Sequence, residues 1–168
     1  MVKPKVFITR RWPKEAEERL KKIFDVTLNQ DDKVLSNNEI AEGFYNHDAL
    51  ACTVSDTIDE NIIKSGKTGK GKIIANFGVG FNHIDLNACK KYKIVVTNTP
   101  DILTDATADL TILLMLMISR RSKEGEYEIE NNKWAGWRPT HLLGSELSHK
   151  TLGIIGFGRI GQAVAKRA

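Results

Sequence analysis

The sequence predicts an α/β protein that is built on a doubly wound parallel sheet. Short apolar segments alternate with helical segments through residues 1–98, and the loops between them are short. Five strands with four intervening helices are typical of such a sheet, because a crossover between parallel strands needs a connection about as long as a helix. A second observation agrees with this fold, since two strands are each followed by a glycine-rich turn.

The predicted strands share a short core of apolar and β-branched residues that is bounded by turn formers or charged residues. They cover residues 5–9, 24–28, 49–54, 72–76 and 94–97.

The first two predicted helices have clear N-terminal signals. Pro13 suits the first turn of a helix that runs to about Ile23, with Leu20 and Ile23 on its inner face. Ser36 and Glu39 have the spacing of a capping box for the second helix, which carries Ile40 and Phe44 as its apolar residues.

The next two helices are predicted in the same way. Thr57 and Glu60 form a second cap-like pair before the apolar residues Ile62 and Ile63. Asp85 is placed to cap a helix that extends through residue 92.

The pattern changes near Pro100, which we take as the domain boundary between residues 1–99 and 100–168. A long helix opens at Thr104, and residues 106–118 are apolar almost all round, so we expect them to be buried between units. The chain is polar from 119 to 133, where alternating glutamates fit a solvated surface better than a carboxylate cluster, because alternate helical residues do not share a face.

Composition favours an ordinary globular protein of the cytoplasm. Hydrophobic residues make up 41% and charged residues 27%, and the net charge of +4 is spread along the chain rather than gathered in a basic stripe. We therefore expect no nucleic-acid role and no metal site.

Cys52 and Cys89 have apolar neighbours and suggest buried thiols in a reducing compartment. No signal peptide is evident, and the apolar run 110–118 is too short to cross a membrane.

The end of the sequence carries the most specific motif. A predicted strand starts at Thr151 and leads into Gly156-x-Gly158-x-x-Gly161 at the start of a helix. This is the dinucleotide-binding fingerprint, in which the glycines allow a tight turn, approach of the pyrophosphate and close packing of helix and strand. The acidic residue expected about 20 positions later would lie beyond Ala168.

The second glycine turn, Gly78-Val79-Gly80, follows the fourth strand, at the sheet edge where open α/β sheets bind ligands. Successive N–H groups in a conformation that glycine permits form a small anion nest, which would suit a carboxylate. A plain turn between strand and helix is an equally good interpretation of this segment alone.

Several motifs together resemble the D-isomer-specific 2-hydroxyacid dehydrogenase family, and most closely its glyoxylate/hydroxypyruvate reductase branch. They occur in order at residues 77–85 (FGVGFNHID), 97–100 (TNTP), 103–110 (LTDATADL), 134–139 (WAGWRP) and 152–161 (LGIIGFGRIG). The resemblance implies a flavodoxin-like substrate domain that is followed by the start of a Rossmann coenzyme domain.

The resemblance also implies residue roles. The backbone around Val79 and Gly80 would hold the substrate carboxylate, and Thr104 would lie near the cofactor. Trp137 would reach towards the substrate pocket of a neighbouring subunit, which implies a homodimer through residues of about 104–148. The cofactor, NAD or NADP, would be bound by Gly156, Gly158, Arg159, Ile160 and Gly161. The alternative interpretations are that Thr104 serves only as a helix cap and that Trp137 serves only as a packing anchor.

Hydride transfer to the carbonyl carbon of a 2-oxoacid is the reaction that the resemblance implies. The family's catalytic arginine, glutamate and histidine follow the fingerprint, so we expect them after Ala168 and assign no catalytic residue within the chain. His83, His141 and His149 are not assigned as substitutes, and we expect the 168-residue polypeptide to be inactive. We also expect partial disorder or association after about Lys150.

Two alternatives remain at this stage. One is another branch of the family, such as a phosphoglycerate or D-lactate dehydrogenase. The other is a non-catalytic dimerisation or ligand-binding module on the first domain, while nucleic-acid binding is a distant third. The sequence does not decide between NAD and NADP, or which 2-hydroxyacid is preferred.

Overall fold

Five parallel strands form one sheet in the order β2-β1-β3-β4-β5. They are β1 (Lys5–Ile8), β2 (Asp25–Leu28), β3 (Ala49–Thr53), β4 (Ile73–Phe77) and β5 (Val95–Thr97). This order is the flavodoxin-like arrangement, which confirms the predicted fold class. The structure, a computed structural model, describes residues 2–168, which divide after Pro100 into two compact units.

The strand registers bring all five carboxyl ends to one edge of the sheet. Each of the five strands predicted within residues 1–98 is present, with bounds that differ from the prediction by about one residue. Val6 pairs with Ala49 across β1 and β3, and Ala49 pairs with Ile73 across β3 and β4. The loops that follow the strands therefore lie beside one another.

Four helices connect the strands: α1 (Lys14–Ile23), α2 (Asn37–Asn46), α3 (Glu60–Thr68) and α4 (Leu86–Tyr92). The capping box at Ser36 is confirmed, since its Oγ accepts from the Glu39 N–H at 3.3 Å and the Glu39 carboxylate accepts from the Ser36 N–H at 2.8 Å. Asp85 caps α4 by accepting from the Ala88 N–H at 2.9 Å, as predicted.

Two details of the helices were predicted wrongly. The cap of α3 is Asp59, which accepts from the Ile62 N–H at 3.0 Å, and Thr57 lies outside the helix. Ile23 is 60% exposed rather than inward. The buried position on α1 is instead Glu17, which the sequence pattern could not indicate because its carboxylate is neutralised by a twofold hydrogen bond from Arg11, at 2.8 and 2.9 Å.

The second unit contains the helices α5 (Thr104–Ser119), α6 (Ser122–Glu130) and α7 (Arg159–Arg167). The polar stretch after residue 119 does not continue α5, because Arg121 adopts a left-handed conformation with φ of 54° and starts a new helix. The expected burial of 106–118 was also wrong, since only Ala108 of α5 is buried among the described residues. The helices that pack against it within residues 2–168 are α7 and α6, and most of its apolar surface remains uncovered.

The predicted strand at Thr151 is absent, since residues 151–158 form neither helix nor strand. A β-strand is defined by hydrogen bonds to a neighbour, and the second unit contains no other strand within its described residues. The glycine turn and helix α7 nevertheless form at the predicted place.

Both cysteines are free and buried, as predicted. Burial raises the pKa of the Cys52 thiol to about 12 and that of Cys89 to about 11, so neither is a reactive thiolate near neutral pH. No helix among the described residues is long and apolar enough to cross a membrane.

Asp32 supports a pH-dependent contribution to stability. The Arg10 guanidinium donates to its carboxylate at 2.8 and 3.1 Å, and the Arg11 N–H donates at 2.9 Å. These contacts lower the pKa of Asp32 from 3.8 to about 2. A lowered pKa in the folded state stabilises the protein above the unfolded pKa, and this stabilisation is lost as the pH falls towards about 2.

We therefore expect Asp32→Asn to lower the thermal unfolding midpoint slightly at pH 7, because the ion pair is exposed. The difference from wild type should close between about pH 4 and pH 2. The neighbouring variant Asp31→Asn is the control, since the Asp31 carboxylate accepts no hydrogen bond among the described residues. A difference that persists unchanged at pH 2 would contradict this assignment.

Candidate functional site

The loops that follow β1, β3, β4 and β5 form the candidate site of the first unit. At the point where the strand order reverses, between β1 and β3, the Thr9 hydroxyl donates to the buried Asp56 carboxylate at 2.6 Å. Asp56 also accepts from the Thr53 N–H at 2.8 Å. This link ties the loops after β1 and β3 together beside the position where doubly wound sheets bind ligands.

The loop after β4 is organised around Asn76, whose side chain is buried and whose residue is only 3% exposed. Its Nδ2 donates to the carbonyl oxygen of Gly78 at 3.1 Å and to that of Gly80 at 2.8 Å. From β5, the Asn98 Nδ2 donates to the Val79 carbonyl at 2.9 Å, and the Thr99 N–H donates to the Gly78 carbonyl at 3.0 Å.

Three consecutive carbonyls of the loop are therefore turned towards the protein. In a trans peptide the N–H points opposite to the C=O, so the N–H groups of Val79, Gly80 and Phe81 are directed away from these donors. None of the three meets an acceptor among residues 2–168. Adjacent free N–H groups can hold a carboxylate through charge-assisted hydrogen bonds.

The predicted basis of this site, a conformation that only glycine permits, was wrong. Neither Gly78 nor Gly80 has a positive φ, so the outward N–H groups do not depend on a glycine-only conformation. A Cβ at Gly78 would lie 2.6 Å from Val54 Cγ1, so a larger residue there would make the exposed Val54 side chain shift. Gly80 is open, with nothing within 4 Å of a Cβ position.

His83 supports the loop and is not free to act on a ligand through Nε2. Because the Asn76 Nδ2 faces two carbonyls, its Oδ1 faces the His83 Nε2 at 3.0 Å, and that nitrogen must carry the proton. Burial lowers the pKa of the His83 imidazole, and the nearby Asp56 carboxylate opposes this shift. The sequence analysis missed Asn76 and Asn98, although an amide at the end of an apolar strand is a signal of a buried hydrogen-bonding role.

In the second unit the glycine turn before α7 has the geometry that the fingerprint predicts. Gly156 has a φ of +88°, which side-chain-bearing residues rarely adopt. A Cβ on Gly161 would collide with the Gly156 carbonyl oxygen. Gly158 is the N-cap of α7 and provides no side-chain cap, so the first N–H groups of the helix meet no protein acceptor among the described residues.

This turn fits the pyrophosphate of a dinucleotide, because free N–H groups and the helix dipole favour an anion at a helix N-terminus. Ile160 lies in the first turn of α7 and Thr104 is the first residue of α5, after the uncapped position Leu103. Thr104 is therefore not the helix cap. Arg159, which we expected to meet the pyrophosphate, forms an exposed ion pair with Asp101 at 2.6 Å.

Trp137 lies in the irregular segment after α6 and is 82% exposed. It lines a cleft of about 210 Å³ together with Trp134 and His141. The His141 Nε2 contacts the Glu128 carboxylate at 2.7 Å, and its Nδ1 lies 2.7 Å from the Arg138 guanidinium. The His141 ring is thus held by neighbours within its own segment.

Among curated proteins, the chain is similar to a glyoxylate reductase of Thermococcus litoralis, with 43% identity over 99% of this chain and 51% of that protein. It is also similar to a glycerate dehydrogenase of Hyphomicrobium methylovorum, with 42% identity over 100% of this chain and 52% of that protein. The chain therefore spans about half the length of the curated relatives it matches.

Two solved structures are also similar to nearly the whole of this chain. A Polaromonas protein described as a D-isomer specific, NAD-binding 2-hydroxyacid dehydrogenase has a TM-score of 0.91 and 38% identity, over 99% of this chain and 52% of that one. The NADPH-dependent glyoxylate/hydroxypyruvate reductase of Sinorhizobium meliloti, solved with NADP and malonate, has a TM-score of 0.80 and 27% identity, over 98% and 50%.

The family comparison covers both units. The sequence profile of the catalytic domain of the D-isomer specific 2-hydroxyacid dehydrogenases matches residues 6–165. The matched range contains the β4 loop with Val79, Gly80 and Phe81, and also the glycine turn before α7. The family uses NAD(P), and this glycine turn fits such a cofactor. This chain belongs to the D-isomer specific 2-hydroxyacid dehydrogenase family.

Proposed function

We propose that this chain forms the carboxylate site and the first part of the coenzyme site of an NAD(P)H-dependent 2-oxoacid reductase that acts on glyoxylate or hydroxypyruvate. The observation that carries the proposal is the set of outward N–H groups at Val79, Gly80 and Phe81, which have no protein acceptor among the described residues. The names of the similar proteins, glyoxylate reductase and glyoxylate/hydroxypyruvate reductase, support this choice of substrate.

Each proposed role has a physical basis in this chain. The Val79 and Gly80 N–H groups bind the substrate carboxylate and so orient the 2-oxo group. The N–H groups of Gly158, Arg159 and Ile160 hold the coenzyme pyrophosphate, after Gly156 has made the turn and Gly161 has allowed close packing. Arg159 exchanges its exposed partner Asp101 for the phosphate. Thr104 adds a hydroxyl near the coenzyme, and bound NAD(P)H supplies the hydride.

No proton transfer is assigned to residues 2–168. The His83 Nε2 proton is donated to Asn76, and the His141 ring is held by Glu128 and Arg138. The acid of the reaction, with its arginine and glutamate partners, is expected from the resemblance to lie in the half of the related proteins that this chain does not span. The 168-residue polypeptide should therefore bind without turning over.

The test is a titration of the ¹⁵N-labelled chain with glyoxylate, in which the amide chemical shifts are monitored. We expect saturable shifts at Val79, Gly80 and Phe81, because a carboxylate binds these N–H groups directly. Glycolaldehyde is the matched control ligand, since it has a carbonyl and no carboxylate, and it should leave these amides unchanged. The same sample should not oxidise NADH above a blank.

Equal shifts with both ligands, or none with glyoxylate, would contradict the carboxylate site. Measurable NADH oxidation would contradict the absence of a proton donor for the reaction among residues 2–168.

We also propose a homodimer through α5 and the segment that ends near residue 148. The support is the apolar surface that α5 leaves uncovered, where Leu113 is 50%, Leu114 is 49% and Ile118 is 80% exposed. A surface of this kind on a soluble domain marks an interaction site. Trp137, which is 82% exposed, is the residue that we propose to reach the substrate pocket of the neighbouring subunit.

Leu113→Glu should convert the dimer to a monomer, because a carboxylate buried in an apolar interface is left without a partner. Sedimentation velocity over a range of protein concentrations measures this change. Lys67→Glu, at an exposed position of α3 in the first unit and outside residues 104–148, adds the same side chain to a polar surface and should leave the dimer intact. A wild-type chain that remains monomeric, or a dimer that survives Leu113→Glu, would contradict this interface.

The cytoplasm is the compartment that we propose for the protein. Cys52 and Cys89 are both free and buried, which is the usual state of cysteines in a reducing environment.

A further inference from the structure

We infer that Asn76 is a positioning residue that sets the direction of the Val79, Gly80 and Phe81 N–H groups, and so gives the loop its affinity for a carboxylate. The inference rests on the proposed function and deepens it. It assigns the anion specificity of the loop to a buried amide that does not itself touch the ligand.

The orientation of the peptide planes decides which groups of the loop face a ligand. A carboxylate can be bound only when the N–H sides of neighbouring peptides face the same space. Asn76 holds two of these peptides by their carbonyls, through Nδ2 bonds to Gly78 at 3.1 Å and Gly80 at 2.8 Å. The plane between them is held by the Asn98 Nδ2, which donates to the Val79 carbonyl at 2.9 Å.

Glycine makes this positioning necessary. The loop contains Gly78 and Gly80, and a peptide next to glycine rotates more freely than others because no Cβ restricts it. Without a donor on the inner side, each carbonyl could turn towards solvent and replace an N–H at the site. A carbonyl oxygen facing the carboxylate would repel it.

His83 fixes the orientation of the Asn76 amide. Its Nε2–H donates to Asn76 Oδ1 at 3.0 Å, and the Cys52 thiol lies 3.8 Å from the same oxygen. The amide therefore cannot turn over without losing the His83 bond and placing its oxygen against two carbonyl oxygens. Asn76 is fixed in the one orientation that directs both of its N–H donors into the loop.

The chain offers a matched control in Asn29, which is also buried, at 8% exposure. Its Nδ2 likewise donates to two backbone carbonyls, those of Thr9 at 2.8 Å and Lys33 at 2.7 Å. Replacing either asparagine removes the same kind of bonds from the same unit. Of these two asparagines, Asn76 holds the loop that carries the proposed anion site, and Asn29 does not.

The experiment measures glyoxylate binding by amide shifts in the 168-residue chain for wild type, Asn76→Leu and Asn29→Leu, with thermal unfolding of each. We expect Asn76→Leu to bind at least about tenfold more weakly, because the Gly80 carbonyl loses its donor and the Gly78 carbonyl keeps only the Thr99 N–H. Asn29→Leu should lose similar stability and keep wild-type affinity. His83→Gln, which retains an N–H donor, should bind more tightly than His83→Leu.

Equal affinity of Asn76→Leu and wild type would overturn the inference and leave the carboxylate site in place. A wild-type chain that does not bind glyoxylate would remove the proposed function and the inference with it. Where Asn76→Leu does not fold, the two His83 variants decide, since both keep the Asn76 side chain and only His83→Leu releases its amide from the fixed orientation. Weaker binding by His83→Leu than by His83→Gln then supports the inference, and equal binding overturns it.

Discussion

Gly161→Ala should abolish dinucleotide binding by the second unit and should destabilise α7. In an exposed helix interior, alanine is ordinarily more favourable than glycine by about 0.5–1 kcal/mol. Here the added Cβ would collide with the Gly156 carbonyl oxygen, which is backbone and cannot rotate aside. The collision outweighs the gain in helix propensity, so the sign of the effect is reversed. A titration monitored by NADH fluorescence measures the loss of binding, and the amide chemical shifts of α7 report the destabilisation of the helix.

The matched control for this change is Gly153→Ala in the same segment. A Cβ there meets nothing within 4 Å and the φ of Gly153 is not positive, so the substitution should leave binding unchanged. Wild-type NADH affinity in Gly161→Ala would show that the turn does not hold the pyrophosphate. Loss of affinity in Gly153→Ala as well would mean that the segment does not tolerate any added side chain.

The first unit could be predicted well because its signals are local. The capping box at Ser36 and the cap at Asp85 depend on residues within one helical turn, and both are present in the structure. The cap of α3 was predicted at Thr57 instead of Asp59, because Thr is also a good N-cap and the two residues lie two positions apart. Glu17 was missed because its burial depends on the ion pair with Arg11, which a hydrophobic pattern does not show.

The second unit was predicted less well, since its elements depend on partners distant in sequence or absent from the chain. Residues 151–158 have a strand-like sequence and no neighbouring strand within their unit. Helix α5 was expected to be buried on account of its composition, yet burial requires a covering surface, and only α6 and α7 pack on it among the described residues. An apolar pattern thus predicts that a face is buried without indicating by what.

The candidate site shows the same limit at the level of single residues. The sequence placed an anion site at Val79 and Gly80 on the basis of glycine, and neither glycine of that loop has a positive φ. What turns the N–H groups outward is a set of side-chain donors from β4 and β5, chiefly Asn76 and Asn98. The contact between β4 and β5 depends on the sheet order, which becomes visible only in three dimensions.

Phe44→Ala should be among the most destabilising single changes in the first unit, with a loss of about 3–5 kcal/mol of unfolding free energy. Phe44 is 0% exposed and is one of the largest fully buried side chains in the chain. Its ring fills space that two glycines leave free, since a Cβ on Gly66 would collide with it and a Cβ on Gly71 would lie 2.5 Å from Cε2. Urea unfolding followed by circular dichroism measures the change, and Tyr45→Ala on the same helix, at 47% exposure, is the mild control.

The mutual dependence of Phe44 and Gly66 gives a sharper form of this test. Gly66→Ala alone should destabilise the unit, because the new methyl group collides with the Phe44 ring even though alanine favours the helix. In the Phe44→Ala background the ring is absent, so the same Gly66→Ala change should cost little or become stabilising. This non-additivity is the signature of direct contact between two residues. If the two changes were additive, the stabilisation that Phe44 provides would have to come from its packing against the strands rather than from its contact with Gly66.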